Sequence, residues 1–494
     1  MQTGFDSELY MQKQKAHILE RIERSRGKLY LEFGGKLFDD YHAARVLPGF
    51  DVNAKTRLLC QFGDMAEIIL CISAQDIESN KIRADSGITY DLDILRLIDN
   101  LRSMDLFVSC VVITQFDGQP AADIFRKKLE MRGERAYVHR PTKGYPTNVP
   151  LIVSEEGYGA NPYIQTERPL VVVTAPGPSS GKLATCLSQI YHEHRRGVSA
   201  GYAKFETFPV WNLPLKHPVN MAYEAATADL DDVNMIDPFH LEAYGKTTVN
   251  YNRDIEIFPV VQAILERTTG VESVYRSPTD MGVNMVGMCI IDEEIVINAA
   301  KQEVIRRLYS ARCDHKLGRV ENTCVKKIEL IMSQLGLTAE DRPVVAPALK
   351  KAREKNAPAA AILLQDGYFA VGRETQVMSA PASAVINAIK HLAGIPDDIH
   401  LISPVVLEPV TSLKEKNFGA RNLTLSLEEV LICLSICTAT NHTALHALRH
   451  LSDLRGCEAH ATCIIPDTDE KTMRKLGVHL TCEPVFPSKD LYYE

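Results

Sequence analysis

An apolar run, Val171-Val-Val-Thr174, leads straight into a small-residue loop, Ala175-Pro-Gly-Pro-Ser-Ser-Gly-Lys182, and then into an amphipathic stretch, Leu183 to Arg196. Strand, small-residue loop, Gly-Lys and helix, in that order, is the arrangement that cradles phosphate. It demands a buried strand whose carboxyl end opens onto a helix N-terminus. A chain built around such a unit is an α/β protein.

The flanking sequence repeats the alternation. Short apolar runs at 29–33, 67–73, 107–114, 136–139, 170–174 and 202–206 read as strands. Amphipathic stretches between them, such as 91–104 and 121–132, read as helices. The pattern predicts a doubly wound, mostly parallel sheet over 1–215. Residues 140–168, rich in Gly, Pro, Asn and Tyr, read as a long ordered loop ahead of the phosphate-loop strand. Residues 216–345 read as a mainly helical region that completes a polar site. Residues 346–494 read as a C-terminal α/β domain, with a hairpin around Asp366-Gly367 and a strand at 399–402. The expected fold class is therefore multi-domain α/β.

Charge and cysteine usage narrow the partners. A net charge of -8 gives no general attraction to nucleic acid or to an acidic membrane surface. The twelve cysteines are scattered singly with no Cys-x-x-Cys, the usage of a reducing compartment. No signal peptide and no transmembrane run are recognisable. The expectation is a cytoplasmic protein whose partner is a phosphorylated small molecule, not nucleic acid or membrane. Homo-oligomer formation is left open.

The loop departs from the standard Gly-x-x-x-x-Gly-Lys-Ser/Thr pattern. Pro176 stands where the first Gly belongs, and Leu183 replaces the hydroxyl that usually holds Mg²⁺. Pro176 and Pro178 also lack N–H donors. The expected phosphate cradle is thus Gly177, Ser179, Ser180, Gly181 and Lys182, with Thr185, three residues after Lys182 on the same helix face, to contribute a hydroxyl. Gly34-Gly35-Lys36, after the first strand, forms a second loop of the same character; a plain tight turn explains it equally well.

Beyond the loop the chain is dense in Asn, Asp and His. Lys204, Glu206 and Thr207 close a strand at the end that faces ligands in such folds. His217, Asn220, Asn250, Asn252, Asp280 and Asn284 join Lys204 and Thr207 as expected substrate contacts. Asp229, Asp231 and Asp232 are the expected metal ligands, and Lys182, Glu206, His240 and Arg253 the expected catalytic groups. Asp and Asn serve equally as helix caps and turn formers, so each residue alone has a structural reading too. Elements of a zinc deaminase are missing, and no zinc, haem or iron–sulfur group is expected.

The strings Ala175 to Gln189, Leu29 to Lys36 with His42 to Pro48, Ala203-Lys-Phe-Glu-Thr-Phe-Pro209 and Val249-Asn-Tyr-Asn-Arg-Asp254 resemble the bacterial family known as domain of unknown function 1846, or uncharacterised protein family 0371. The family's loop reads Gly-Pro-Gly-Ser-Gly-Lys, and Ser179 stands in place of its middle Gly. The resemblance implies an N-terminal α/β part with the loop, a separate C-terminal α/β part, and a bacterial cytosolic protein. It brings no reaction with it.

The expected function is binding of a nucleotide or phosphorylated metabolite, with phosphoryl transfer or ATP-dependent ligation, using ATP or another nucleotide with Mg. Two rivals stand beside it. One is a non-catalytic phospholigand-binding or regulatory protein. The other is a nucleotide-independent enzyme that grips a substrate phosphate, with His217 or His240 as acid–base.

Overall fold

A computed structural model of the protein describes residues 3–83 and 87–488. It divides into two compact units, Gln2–Ala300 and Lys301–Glu494.

Among the described residues the first unit carries nine strands: β1 (Lys28–Phe33), β2 (Ala66–Ser73), β3 (Val108–Thr114), β4 (Ala136–Val138), β5 (Leu170–Thr174), β6 (Ala200–Phe205), β7 (Asn234–Ile236), β8 (Val249–Tyr251) and β9 (Gly282–Val283). Seven of them form one sheet in the order β4-β3-β2-β5-β1-β6-β9, and every pairing in it is parallel. β7 and β8 form a separate antiparallel ribbon. β2, β3 and β5 are buried along their whole length, as apolar runs in a doubly covered parallel sheet must be. Helices cover both faces. Lys182–Arg195 and Asn252–Thr269 pack over Tyr30, Val171, Val173 and Tyr202. Ser7–Ser25 lies along β1 and β6, and Tyr90–Ser103 along β2 and β3.

The helical region expected over 216–345 does not stand apart. Its first part belongs to the first unit, because β9 extends the main sheet beside β6 and Asn252–Thr269 seals one face. The division falls inside the helix Glu293–Lys316.

The second unit holds a four-stranded sheet ordered β11-β10-β12-β13, with β10 (Ala359–Leu363), β11 (Phe369–Arg373), β12 (Glu458–Ala461) and β13 (His479–Cys482). β10 pairs antiparallel with β11 and β12, and β12 pairs parallel with β13. Ile362, Val385, Ile389, Leu434 and Met473 lie in its core. Arg342 is fully buried there, bridging to Glu458 at 2.6 Å and donating to His479 O at 2.7 Å and Thr481 Oγ1 at 2.9 Å. The strand expected at 399–402 is not formed. Lys390 Nζ instead donates to Asp397 O and Ile399 O, holding that segment as a loop beyond the helix Ala380–Leu392.

Among the described residues, no helix is long and apolar enough to cross a membrane.

Candidate functional site

Because the seven strands are parallel, their carboxyl ends share one edge of the sheet, where ligands bind in open α/β folds. The central order β5-β1-β6 sets three loops side by side there: Ala175–Lys182 after β5, Gly34–Lys36 after β1, and Glu206 with Thr207 after β6. In register, Glu32 on β1 stands opposite Val173 and Lys204.

The Ala175–Lys182 loop is held from below. Thr114, at the end of β3, donates its hydroxyl to Ser180 O at 2.8 Å. Gly181 is the N-cap of Lys182–Arg195 in the left-handed region, φ 80°, with no side-chain cap. A Cβ there would meet Thr114 Cβ at 2.8 Å, so both the backbone angle and the close approach call for glycine. A Cβ on Gly177 would meet the Tyr90 hydroxyl at 2.5 Å. Among the described residues, the amides of Ser179, Ser180, Gly181, Lys182 and Leu183 donate to no protein acceptor. Lys182 Nζ folds back over the loop, 3.5 Å from Gly177 O and 3.4 Å from Ser180 Oγ. Thr185 is fully buried. Its hydroxyl donates to Gly181 O at 3.0 Å and faces Cys71, so it supplies nothing to the outer side of the loop.

On the far side of β1 sits a charged cluster. Lys204 Nζ lies 2.6 Å from Glu206 Oε1 and also pairs with Asp254, in the first turn of Asn252–Thr269, where the helix dipole favours a carboxylate. Burial works to lower the Lys204 pKa, but Asp254 and Glu206 outweigh it and hold the ammonium above its usual range. Burial pushes the Glu206 carboxyl up against the pull of Lys204, so Glu206 keeps its proton beyond the usual carboxylate range. Glu32, buried on the same face of the sheet, accepts from Tyr202 Oη at 2.8 Å. Arg253 pairs with Asp232 at 2.7 Å, and burial raises the Asp232 pKa despite that partner.

The structure therefore gathers Lys182, Ser179 to Gly181, Gly34 to Lys36, Lys204 and Glu206 along one edge. The other expected site residues have structural work. Asn220 bonds both main-chain groups of Val210. Asn284 donates to Pro209 O and accepts from Val286 N. Asn250 reaches Thr279, and Asn252 bonds Val233 N. His217 caps Pro218–Ala226 and meets Glu293 at 3.5 Å. His240 bonds Ser277 Oγ at 3.0 Å, and Asp280 accepts from Tyr244. Of the acidic run, Asp229 and Asp231 are exposed while Asp232 is buried on Arg253, so it does not act as one ligand set. Among the described residues, no three His, Cys, Asp or Glu side chains are grouped to hold a metal ion.

Three participants lie outside the sequence expectation: Glu32, Asp254 and Lys55. Lys55, 2% exposed, donates to Gly34 O, Lys36 O and Asp40 Oδ2. Burial opposes the charge on Asp40, yet Lys55 holds its carboxyl below the usual range. Asp254 had a sequence signal, a carboxylate in the first turn of an amphipathic helix; Glu32 and Lys55 are isolated charges whose partners are distant in sequence.

Comparison with known proteins agrees over the whole length. Residues 3–336 match the model described as domain of unknown function DUF1846, N-terminal, and residues 340–492 match its C-terminal counterpart. A UPF0371 protein of Clostridium botulinum (strain Alaska E43 / Type E3) is 57% identical over 501 residues, covering all of both chains. One from Clostridioides difficile (strain 630) is 56% identical over the same span, again with full coverage.

Proposed function

The chain belongs to the DUF1846 family, and we propose that it binds a phosphorylated small molecule at the carboxyl edge of its parallel sheet. The observation that carries this reading is the run of amides from Ser179 to Leu183. They lie at the N-terminus of a 14-residue helix, have no protein acceptor among the described residues, and have Lys182 folded over them. Oriented amides, the positive end of a helix dipole and a mobile ammonium together favour a phosphate dianion.

In this reading Lys182 and the amides grip the phosphate, and Lys204 orients Glu206. Glu206, kept protonated by burial, donates a proton to the leaving oxygen as its bond breaks. A nucleotide with Mg, used in phosphoryl transfer or ligation, is one ligand of this class. A substrate phosphate used only as a handle is the second reading. Leu183 in place of a hydroxyl, with the Thr185 hydroxyl spent on Gly181, favours it. Twelve cysteines without a disulfide support a reducing, cytoplasmic location.

Thermal unfolding of the purified protein with orthophosphate, pyrophosphate, ATP with Mg, and simple sugar phosphates tests the reading. Stabilisation by the phosphorylated compounds, absent with sulfate-free chloride controls, is expected. Stabilisation by ATP alone selects the nucleotide form, and no shift with any of them overturns the proposal. Mass spectrometry of co-purifying small molecules identifies the ligand directly.

A further inference from the structure

We infer that the phosphorylated ligand is a polyol or sugar phosphate, and that the buried carboxylate of Glu32 holds one of its hydroxyls, a few bonds from the phosphate. This rests on the phosphate reading above. Glu32 stands on β1, between β5, which leads into the Lys182 loop, and β6, which carries Lys204. Its neighbours on the same face, Tyr30 and Val173, are covered by the helices Lys182–Arg195 and Asn252–Thr269. Lys182 opens the first helix, and Asp254 lies in the first turn of the second. Glu32 is therefore on the floor between the two helix starts. Its charge is felt by the Cys186 thiol, one turn into the first helix, and by Lys204.

Two other buried carboxylates of this unit are used up by the protein. Glu193 Oε1 accepts from Lys28, Tyr30, Tyr163 and Thr166, and Glu67 Oε1 takes the amides of Glu167 and Arg168. Glu32, 8% exposed, has a single hydrogen bond among the described residues, from Tyr202 Oη to Oε2 at 2.8 Å. Its Oε1 is left without a donor, and a carboxylate taken out of water needs one. The side chains of Lys204 and Asp254 are 21% and 20% exposed, so a small molecule enters from their side. An ionised carboxylate only accepts hydrogen bonds, and beside a bound phosphate it repels a second anion. The nearby Lys204 ammonium turns away a cation. A neutral donor remains, and a hydroxyl on the carbon chain of a phosphate ester is one. Two strand spacings, about 10 Å, separate β5 from β6, so a chain of a few carbons that starts at the Lys182 loop passes over Glu32.

Calorimetric titration of the full chain tests this, with the terminal phosphates of glycerol, erythritol and sorbitol set against alkyl phosphates of equal chain length. The best polyol phosphate is expected to bind at least about tenfold tighter than its alkyl counterpart, as a hydrogen bond to a charged group gives. Glu32→Ala should abolish that preference and Glu32→Gln reduce it, both with alkyl phosphate affinity undiminished. Lys182→Ala should weaken both series. Unfolding midpoints establish which variants are folded, and Glu32→Gln, which keeps an acceptor for Tyr202, decides alone if Glu32→Ala is not. Equal binding of both series by wild type, an undiminished preference in Glu32→Gln, or a loss shared equally by both series in that variant overturns the hydroxyl contact but not the phosphate site. Failure of wild type to bind any member overturns both.

Discussion

Lys204 and Glu206 stand two residues apart at the end of one strand, with Nζ and Oε1 separated by 2.6 Å. Alternation along a strand puts residues at this spacing on one face, so the pair is set by the backbone. Asp254 completes it from the first turn of a helix that packs on that face. A half-buried lysine thus serves two carboxylates, and one of them, Glu206, is pushed toward its protonated form.

The raised Glu206 pKa fixes the sign of a pH effect. The native state holds this proton at pH values where the unfolded chain has lost it. Its contribution to stability is therefore complete below the ordinary glutamate range and is lost as the pH rises through the raised native value. Within that window one proton is worth on the order of 1.4 kcal/mol per pH unit. Glu206→Gln, which mimics the protonated form, should flatten this part of a urea-midpoint against pH curve. An unchanged slope contradicts the assignment.

Gly181 is held by angle and by space together. Gly181→Ala meets a left-handed backbone, costing about 1–2 kcal/mol, and a clash with Thr114 that adds about 1–3 kcal/mol. Gly133 has the same φ of 80° with nothing within 4 Å, so Gly133→Ala should carry the first cost alone. Chemical denaturation of the two variants measures the difference. Equal losses would show that the Thr114 contact does not constrain the loop.

In the second unit, Arg342 and Arg306 hold Glu458 well below the usual carboxylate range, to about 2, against its burial. Arg342→Ala leaves that carboxylate to Arg306 alone and strands the His479 and Ala459 carbonyls, and a loss of more than about 1 kcal/mol per stranded carbonyl is expected in urea unfolding. Adding Glu458→Gln should recover part of it. A single variant within 1 kcal/mol of wild type would contradict the buried pair.

The strands were legible because a doubly covered parallel sheet needs unbroken apolar runs, and Val171–Val173 and Ile68–Ile72 supply them. The turn into the helix Lys182–Arg195 was legible because Gly181 and the consecutive small residues before it mark it. Asp254 and Glu32 were not singled out, since their roles come from helix packing and strand register, joining Asp254 to Lys204 across 50 residues and Glu32 to Tyr202 across 170. Lys55 was invisible for a different reason: a lone lysine is ordinarily a surface residue, and only the fold buries it under Gly34 and Lys36. Within the acidic run 229–232 spacing alone does not tell the carboxylates apart: Asp229 and Asp231 are exposed, while Asp232 is drawn inward onto Arg253.

Lys182 is the cation that folds over the loop at the start of the helix Lys182–Arg195. Calorimetric titration of wild type and Lys182→Ala with pyrophosphate measures its contribution directly. The account predicts saturable binding by wild type and loss of about tenfold or more in the variant, with unfolding midpoints of the free proteins alike. Equal affinity in the two proteins would contradict it.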